Sequence, residues 1–218
     1  MKQYNNLEIE EEDITKLGNP NKPQGEAGKK MLERMNESHY EVTGWALNFL
    51  NFKESDYVLD IGCGGGATLR RMSEHINSGK LVGVDYSNVS VQKSIEVNSK
   101  DVESGKMKVL EASVENLPFQ DKQFDIITTV ESFYFWPNPQ ENLKEVLRVL
   151  KENGTFILVA DIYQNGNLSD KSIENIKMYN MFNPTKDEFQ KMFENAGFKN
   201  IKIHTKDNEN WICIEASR

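Results

Sequence analysis

The stretch Val58-Leu59-Asp60-Ile61-Gly62-Cys63-Gly64-Gly65-Gly66 constrains the chain more than any other: an apolar run passes straight into a glycine-rich turn, and a helical pattern begins near Thr68. A strand that turns this sharply into a helix needs residues without Cβ. Glycine also lets a nucleoside or amino-acid group lie directly against the backbone, beside the start of the helix. Gly62-x-Gly64-x-x-Ala67 fits the dinucleotide-binding pattern, with Asp85 in place for a ribose. Asp60 argues otherwise, because a carboxylate just before the turn attracts an ammonium group or ordered water and repels a pyrophosphate. The expected cofactor therefore carries no pyrophosphate. Asp85 ends the run KLVGVD, where its two oxygens can accept from ribose hydroxyls, with Tyr86 beside the adenine and Ser87 opening the next helix. Helix capping is the alternative role for Asp85.

The rest of the chain repeats the strand–helix rhythm. YVLDI, KLVGVD, MKVLEAS, FDIITTV and GTFILVAD are strand-like, and helical patterns separate them, one with Leu69, Met72 and Ile76 inward and one with Leu143, Val146, Leu147 and Leu150. Strands this apolar on both faces belong to a parallel sheet covered by helices on both sides. Asn138 and Pro139 mark the start of the helix before the fifth strand and Gly154 its end. Thr185-x-x-Glu188 is a capping box for a helix ending at Ala196-Gly197-Phe198. Two strand-like runs, KNIKIHT and NWICIEA, follow around a polar turn and predict an antiparallel hairpin. Residues 1–24 read as a solvated polar arm, and residues 25–50 as a helical lid with Met31, Met35, His39, Val42, Ala46 and Phe49 on one face and a break at Gly44. Residues 51–218 form the α/β core, so that 1–218 makes a single domain.

The charge balance narrows the partners. A net charge of −8 without a Lys/Arg cluster argues against nucleic acid. Only two cysteines occur, Cys63 and Cys213, so neither disulfides nor a metal site are expected. MKQYNNLEIEEEDITK has no apolar leader region and no segment has the length of a membrane span, which together predict a cytoplasmic protein free of membrane. The oligomeric state is left open.

Taken in order, VLDIGCGGG, VGVDYS, EASVENLPF and FDIITTV resemble the successive motifs of class I S-adenosylmethionine-dependent methyltransferases over about residues 56–161. The resemblance implies a seven-stranded, mostly parallel Rossmann-like sheet with helices on both faces. It also implies S-adenosylmethionine as cofactor and S-adenosylhomocysteine as product. In the family the glycine loop holds the methionine portion, which here implies Asp60, Gly62, Cys63 and Gly64. The acid after the second strand holds the ribose, implying Asp85 with Tyr86 and Ser87, and the residues after the third strand bracket adenine, implying Ala112, Ser113 and Val114. PQGEAGKKMLERMNESHYEVTGWAL and ESFYFWPN also resemble a bacterial subgroup whose substrates are mostly unassigned.

The acceptor is expected across the C-terminal ends of the fourth and fifth strands, where Val130-Glu131-Ser132-Phe133-Tyr134-Phe135-Trp136-Pro137 lies. Phe133, Tyr134 and Trp136 are candidates to stack a small-molecule acceptor and attract the sulfonium through cation–π contact. Glu131 is a candidate for the methionine ammonium or for the acceptor. Helices like the N-terminal one commonly roof the acceptor pocket in this family, which makes His39 a candidate for substrate binding and proton transfer. Two other readings stay open: a catalytically silent cofactor-binding module, and a nicotinamide oxidoreductase, for which no Tyr-x-x-x-Lys pair follows the fourth strand.

Overall fold

The computed structural model describes residues 11–218, so the first ten residues of the polar arm lie outside it. The strands fall where the alternation placed them: β1 Tyr57–Ile61, β2 Lys80–Asp85, β3 Met107–Glu111, β4 Phe124–Val130 and β5 Leu150–Ala160. All five run parallel to one another. The C-terminal pair, β6 Lys199–Thr205 and β7 Ile212–Ser217, is antiparallel as expected, and β7 inserts between β5 and β6 to give the order β3-β2-β1-β4-β5-β7-β6. The order reverses between β1 and β4, which opens a crevice at the carboxyl ends of the strands.

Each face of the sheet carries its own apolar layer, and β5 shows why its sequence does not alternate. Phe156 and Leu158 pack with Leu143, Val146, Phe189 and Phe193 of α7 (Pro139–Val149) and α9 (Lys186–Ala196), while Ile157 and Val159 join Val42, Ala46, Leu69 and Met72 from helices on the other face. Both faces are therefore dry. The capping box at α9 is complete, with Thr185 and Glu188 each bonding the other's backbone N–H and Gly197 ending the helix at φ 99.

Several expectations need correction. The helical lid breaks at His39, between α2 (Gly25–Ser38) and α3 (Tyr40–Leu47), and Gly44 lies inside α3, where it leaves room for the Arg71 guanidinium. The arm is not wholly solvated: Glu11–Gly18 forms α1, whose Ile14 is buried and whose Gly18 approaches the Ala27 carbonyl of α2 too closely for a side chain. Gly154 does not end α7; it sits within β5, where a Cβ would press on the Asp125 carbonyl beside a register shift in the β4 pairing. A further helix, α8 (Asp170–Met178), has no buried residue and so carried no apolar stripe to announce it. Four short helices complete the chain: α4 (Ala67–Ser73), α5 (Asn88–Val97), α6 (Ser99–Glu103) and a 3₁₀ turn at Phe133–Phe135. Among the described residues no helix is long and apolar enough to cross a membrane.

Phe193 is fully buried and stacks on Phe156 with ring centroids 5.6 Å apart and planes 10° from parallel. Phe193→Ala is expected to cost about 3–5 kcal/mol of unfolding free energy through lost burial and an unfilled cavity, measured by chemical denaturation.

Candidate functional site

The crevice contains a cavity of about 390 Å³ bounded by the glycine loop, the ends of β2 to β4, and the lid. Gly62, Gly64 and Gly66 all have positive φ, the region that favours glycine. Gly64 is the informative one: a Cβ there would meet only Leu32 at 3.8 Å and would otherwise fill space along the cavity wall. The loop thus forms a backbone-lined cradle. Gly64 N–H donates to Asp85 Oδ2 at 3.0 Å, so the loop and the end of β2 are fastened together.

Asp85 lines the cavity with both carboxylate oxygens already holding one backbone N–H, from Gly64 and from Ser87. Each oxygen keeps a lone pair for a ribose hydroxyl. Burial raises its pKa and the two N–H donors oppose the rise. Tyr86, Ala112, Ser113 and Val114 line the same end. The Tyr86 hydroxyl donates to Asn21, and burial followed by the Asp85 charge pushes its pKa up to about 12, so it stays a phenol. These groups fit an adenosine-bearing ligand whose ribose is held by a carboxylate.

Other expected contacts lie elsewhere. Asp60 is not in the cavity wall: its carboxylate is buried below the loop and accepts from Thr128 Oγ1 at 2.6 Å. Burial raises its pKa to about 7. Ser87 is also buried away from the cavity; it caps α5 and donates to the Pro23 carbonyl, pinning the arm over β2. Cys63 lines the cavity, but burial and then the Asp85 and Asp60 charges hold its thiol above the ordinary range and favour the protonated form.

At the acceptor end, Phe133 is a core residue packed on Trp136 and Phe189 rather than a wall residue. Tyr134 is likewise outside the wall, and its hydroxyl donates to Glu131. Phe135 and Trp136 line the cavity, together with His39 and Glu131 as the sequence suggested. His39 sits where α2 gives way to α3, with Nε2 3.9 Å from Glu131 Oε2. The two are not an ion pair at neutral pH. Burial lowers the imidazole pKa, with Asp161 pulling it back, while burial and then Asp161 raise Glu131 well above its ordinary range. Asp161, just beyond β5, completes a group with polar atoms within 4.8 Å of one another. Sequence reasoning missed it, as it missed Tyr40, Thr43 and Arg71 in the wall. Positions 39, 131 and 161 share no spacing; only GTFILVAD, which ends on Asp161, placed an acid at a strand's carboxyl end.

Residues 59–158 match the family described as a methyltransferase domain. Over these residues the chain is similar to S-adenosylmethionine-dependent methyltransferases. It is 28% identical over 146 residues to 2-methyl-6-phytyl-1,4-hydroquinone methyltransferase 1 of Oryza sativa subsp. japonica, covering 67% of this chain and 42% of that one. It is also 28% identical over 150 residues to a sterol 4-C-methyltransferase of Caenorhabditis elegans, covering 69% and 43%. The chain thus spans less than half the length of either relative. A solved S-adenosylmethionine-dependent methyltransferase from Aquifex aeolicus has the same fold, with a TM-score of 0.67 at 19% identity over 96% of this chain and 98% of that one.

The buried acid under the loop gives a test that needs no ligand. Asp60 has a folded pKa raised to about 7 from an ordinary 3.8, so the folded state holds more protons than the unfolded state between those values. Its contribution is full below about pH 4 and is lost as pH rises through 7. Asp60→Asn removes the titration and keeps an acceptor for Thr128. Its melting temperature relative to the natural protein is expected to climb from pH 4 to pH 8 in thermal unfolding scans. A difference independent of pH contradicts the raised pKa.

Proposed function

We propose that this protein is an active methyltransferase that moves a methyl group from S-adenosylmethionine to a small-molecule acceptor by in-line displacement. The observation that carries the reading is the continuity of the cavity, from the Gly64 cradle and Asp85 at one end to Phe135, Trp136, His39 and Glu131 at the other. A silent binding module would need no room beyond the cofactor, and a cavity reaching the aromatic wall speaks for an acceptor. The volume, about 390 Å³, falls within the usual small-ligand range of about 300–1,000 Å³.

S-adenosylmethionine, when bound, supplies an electrophilic methyl group and leaves as S-adenosylhomocysteine. Gly62 and Gly64 would flank its methionine portion, Asp85 would accept from the ribose hydroxyls, and Ala112, Ser113 and Val114 would border the adenine. The lid and the arm limit water at the site, and the aromatic wall orients a flat or partly apolar acceptor, which is most of what such a displacement asks of a protein. The hydroquinone and sterol named for the two relatives are acceptors of that kind. We further read the protein as cytoplasmic, supported by two buried free cysteines.

Calorimetry with S-adenosylmethionine and with NADH separates this reading from an oxidoreductase: binding of the first and not the second is expected, and the reverse sinks it. Asp85→Asn is expected to weaken S-adenosylmethionine by about 1–3 kcal/mol, or roughly 5- to 150-fold in Kd, as charge-assisted hydrogen bonds become neutral ones. A metabolite screen that follows S-adenosylhomocysteine release identifies the acceptor, and a protein that binds the cofactor without ever releasing product would be the silent module.

A further inference from the structure

Three segments far apart in sequence bring His39, Glu131 and Asp161 to the acceptor end of the cavity: the α2–α3 junction, the residue after β4 and the residue after β5. The Asp161 backbone N–H donates to Glu131 Oε1 at 2.5 Å. The Tyr134 hydroxyl donates to Glu131 and lies 3.3 Å from Asp161 Oδ1, so one phenol spans both carboxylates. Arg71 of α4 is the one Lys or Arg among the described lining residues, and it is committed to Tyr40, donating to its carbonyl at 2.5 Å and lying 4.2 Å from its ring centroid. The charged groups grouped with His39 are thus Glu131 and Asp161, with Tyr134 bonded behind them and Tyr40 and Arg71 sharing the cavity wall.

Glu131 is buried beside the half-buried Asp161, and burial followed by the charge of that neighbouring carboxylate favours a protonated Glu131. Beside them stands an imidazole that burial keeps neutral, with its edge open to the cavity. A neutral imidazole backed by a fixed anion accepts a proton readily because its charged form already has a partner.

We propose that His39 takes the proton released by the methyl acceptor, that the Glu131–Asp161 pair held by Tyr134 stabilises the resulting imidazolium, and that the acceptor's nucleophile is an oxygen or nitrogen that still bears hydrogen when it binds. In this step the O–H or N–H bond breaks and its electron pair stays on the heteroatom, which takes up the methyl group as the methyl–sulfur bond of the sulfonium breaks and that pair returns to sulfur, leaving a neutral thioether. The proton forms an N–H bond on the imidazole and later leaves to solvent through the mouth of the cavity. A neutral acceptor gives a neutral product and one proton.

This inference rests on the methyltransferase reading, and its decisive test does not use turnover. Histidine side-chain resonances of the apo protein are followed by NMR against pH, with His39→Asn assigning the His39 signal among the three histidines. The His39 midpoint is expected below the ordinary value of about 6.5 and to fall further, by about one pH unit or tenfold in proton affinity, in Asp161→Asn. Asp161→Glu, which keeps the charge, is expected to restore it. A midpoint at or above the ordinary value, or one that Asp161→Asn leaves in place, overturns the proposal. So does selective broadening of the His39 signal by micromolar Mn²⁺ in the natural protein and not in Asp161→Asn, which would assign the cluster to a metal ion. With a phenol, a primary alkylamine and a thioether as probe acceptors, turnover is expected on the first two, reduced about 100-fold or more by His39→Asn without change in S-adenosylmethionine affinity. Turnover confined to the thioether counts against it. Failure to bind S-adenosylmethionine at all would sink the methyltransferase reading and leave the titration to judge His39.

Discussion

Gly62 passes so close to the segment after β4 that a Cβ would occupy the space of the Ser132 side chain. Through that gap Ser132 Oγ and Thr129 Oγ1 both reach the Ile61 carbonyl, at 3.1 and 3.0 Å, and lie 2.6 Å from each other. The end of β1 and the end of β4 are joined there by side chains as well as by the sheet. Since β1 delivers the glycine cradle and β4 delivers the acceptor wall, this junction fixes the distance between the two halves of the site. Glu131 sits between the two anchors with φ 55, a conformation costly for a residue with a side chain, held by its own N–H on the Val159 carbonyl. The fold therefore aims this carboxylate.

The acids around the cavity carry out different tasks because they meet different donors. Asp60 has one hydroxyl partner below the loop, Asp85 has two backbone N–H groups beside it, and Glu131 has a phenol and one N–H at the far end. Burial disfavours the charged form of each, and the donors restore it to different degrees. Asp85, with two N–H donors, is the one best fitted to hold charge next to a ribose. Glu131, facing another carboxylate, is the one fitted to hold a proton.

Legibility in the sequence followed burial. KLVGVD and FDIITTV coincide with β2 and β4 because a strand packed on both faces must be apolar along its whole length. Thr185 and Glu188 opened α9 as read, because a capping box is satisfied within four residues. The solvent-facing α8 had no such signature, and Gly154 misled because a glycine after an apolar helical stripe reads the same as a glycine under a neighbouring carbonyl. Among the residues singled out in the sequence, Asp85, Gly64 and Val114 line the cavity, whereas Asp60, Ser87, Phe133 and Tyr134 lie outside its wall. Their neighbours along the chain were correct to within a residue or two, but which way a side chain turns at a strand end depends on what packs above it.

The sequence by itself determined the parallel sheet, the glycine cradle and the acid that ends β2, because each of these is local: a strand, its turn and the first residues after it obey backbone sterics and short-range hydrogen bonding. Only the tertiary structure decided the chemistry of the acceptor end. His39, Glu131 and Asp161 lie 92 and 30 residues apart in the chain. Their meeting depends on a lid that breaks at His39, a β4 end welded to Ile61 and a β5 beside it, none of which any short stretch of sequence records.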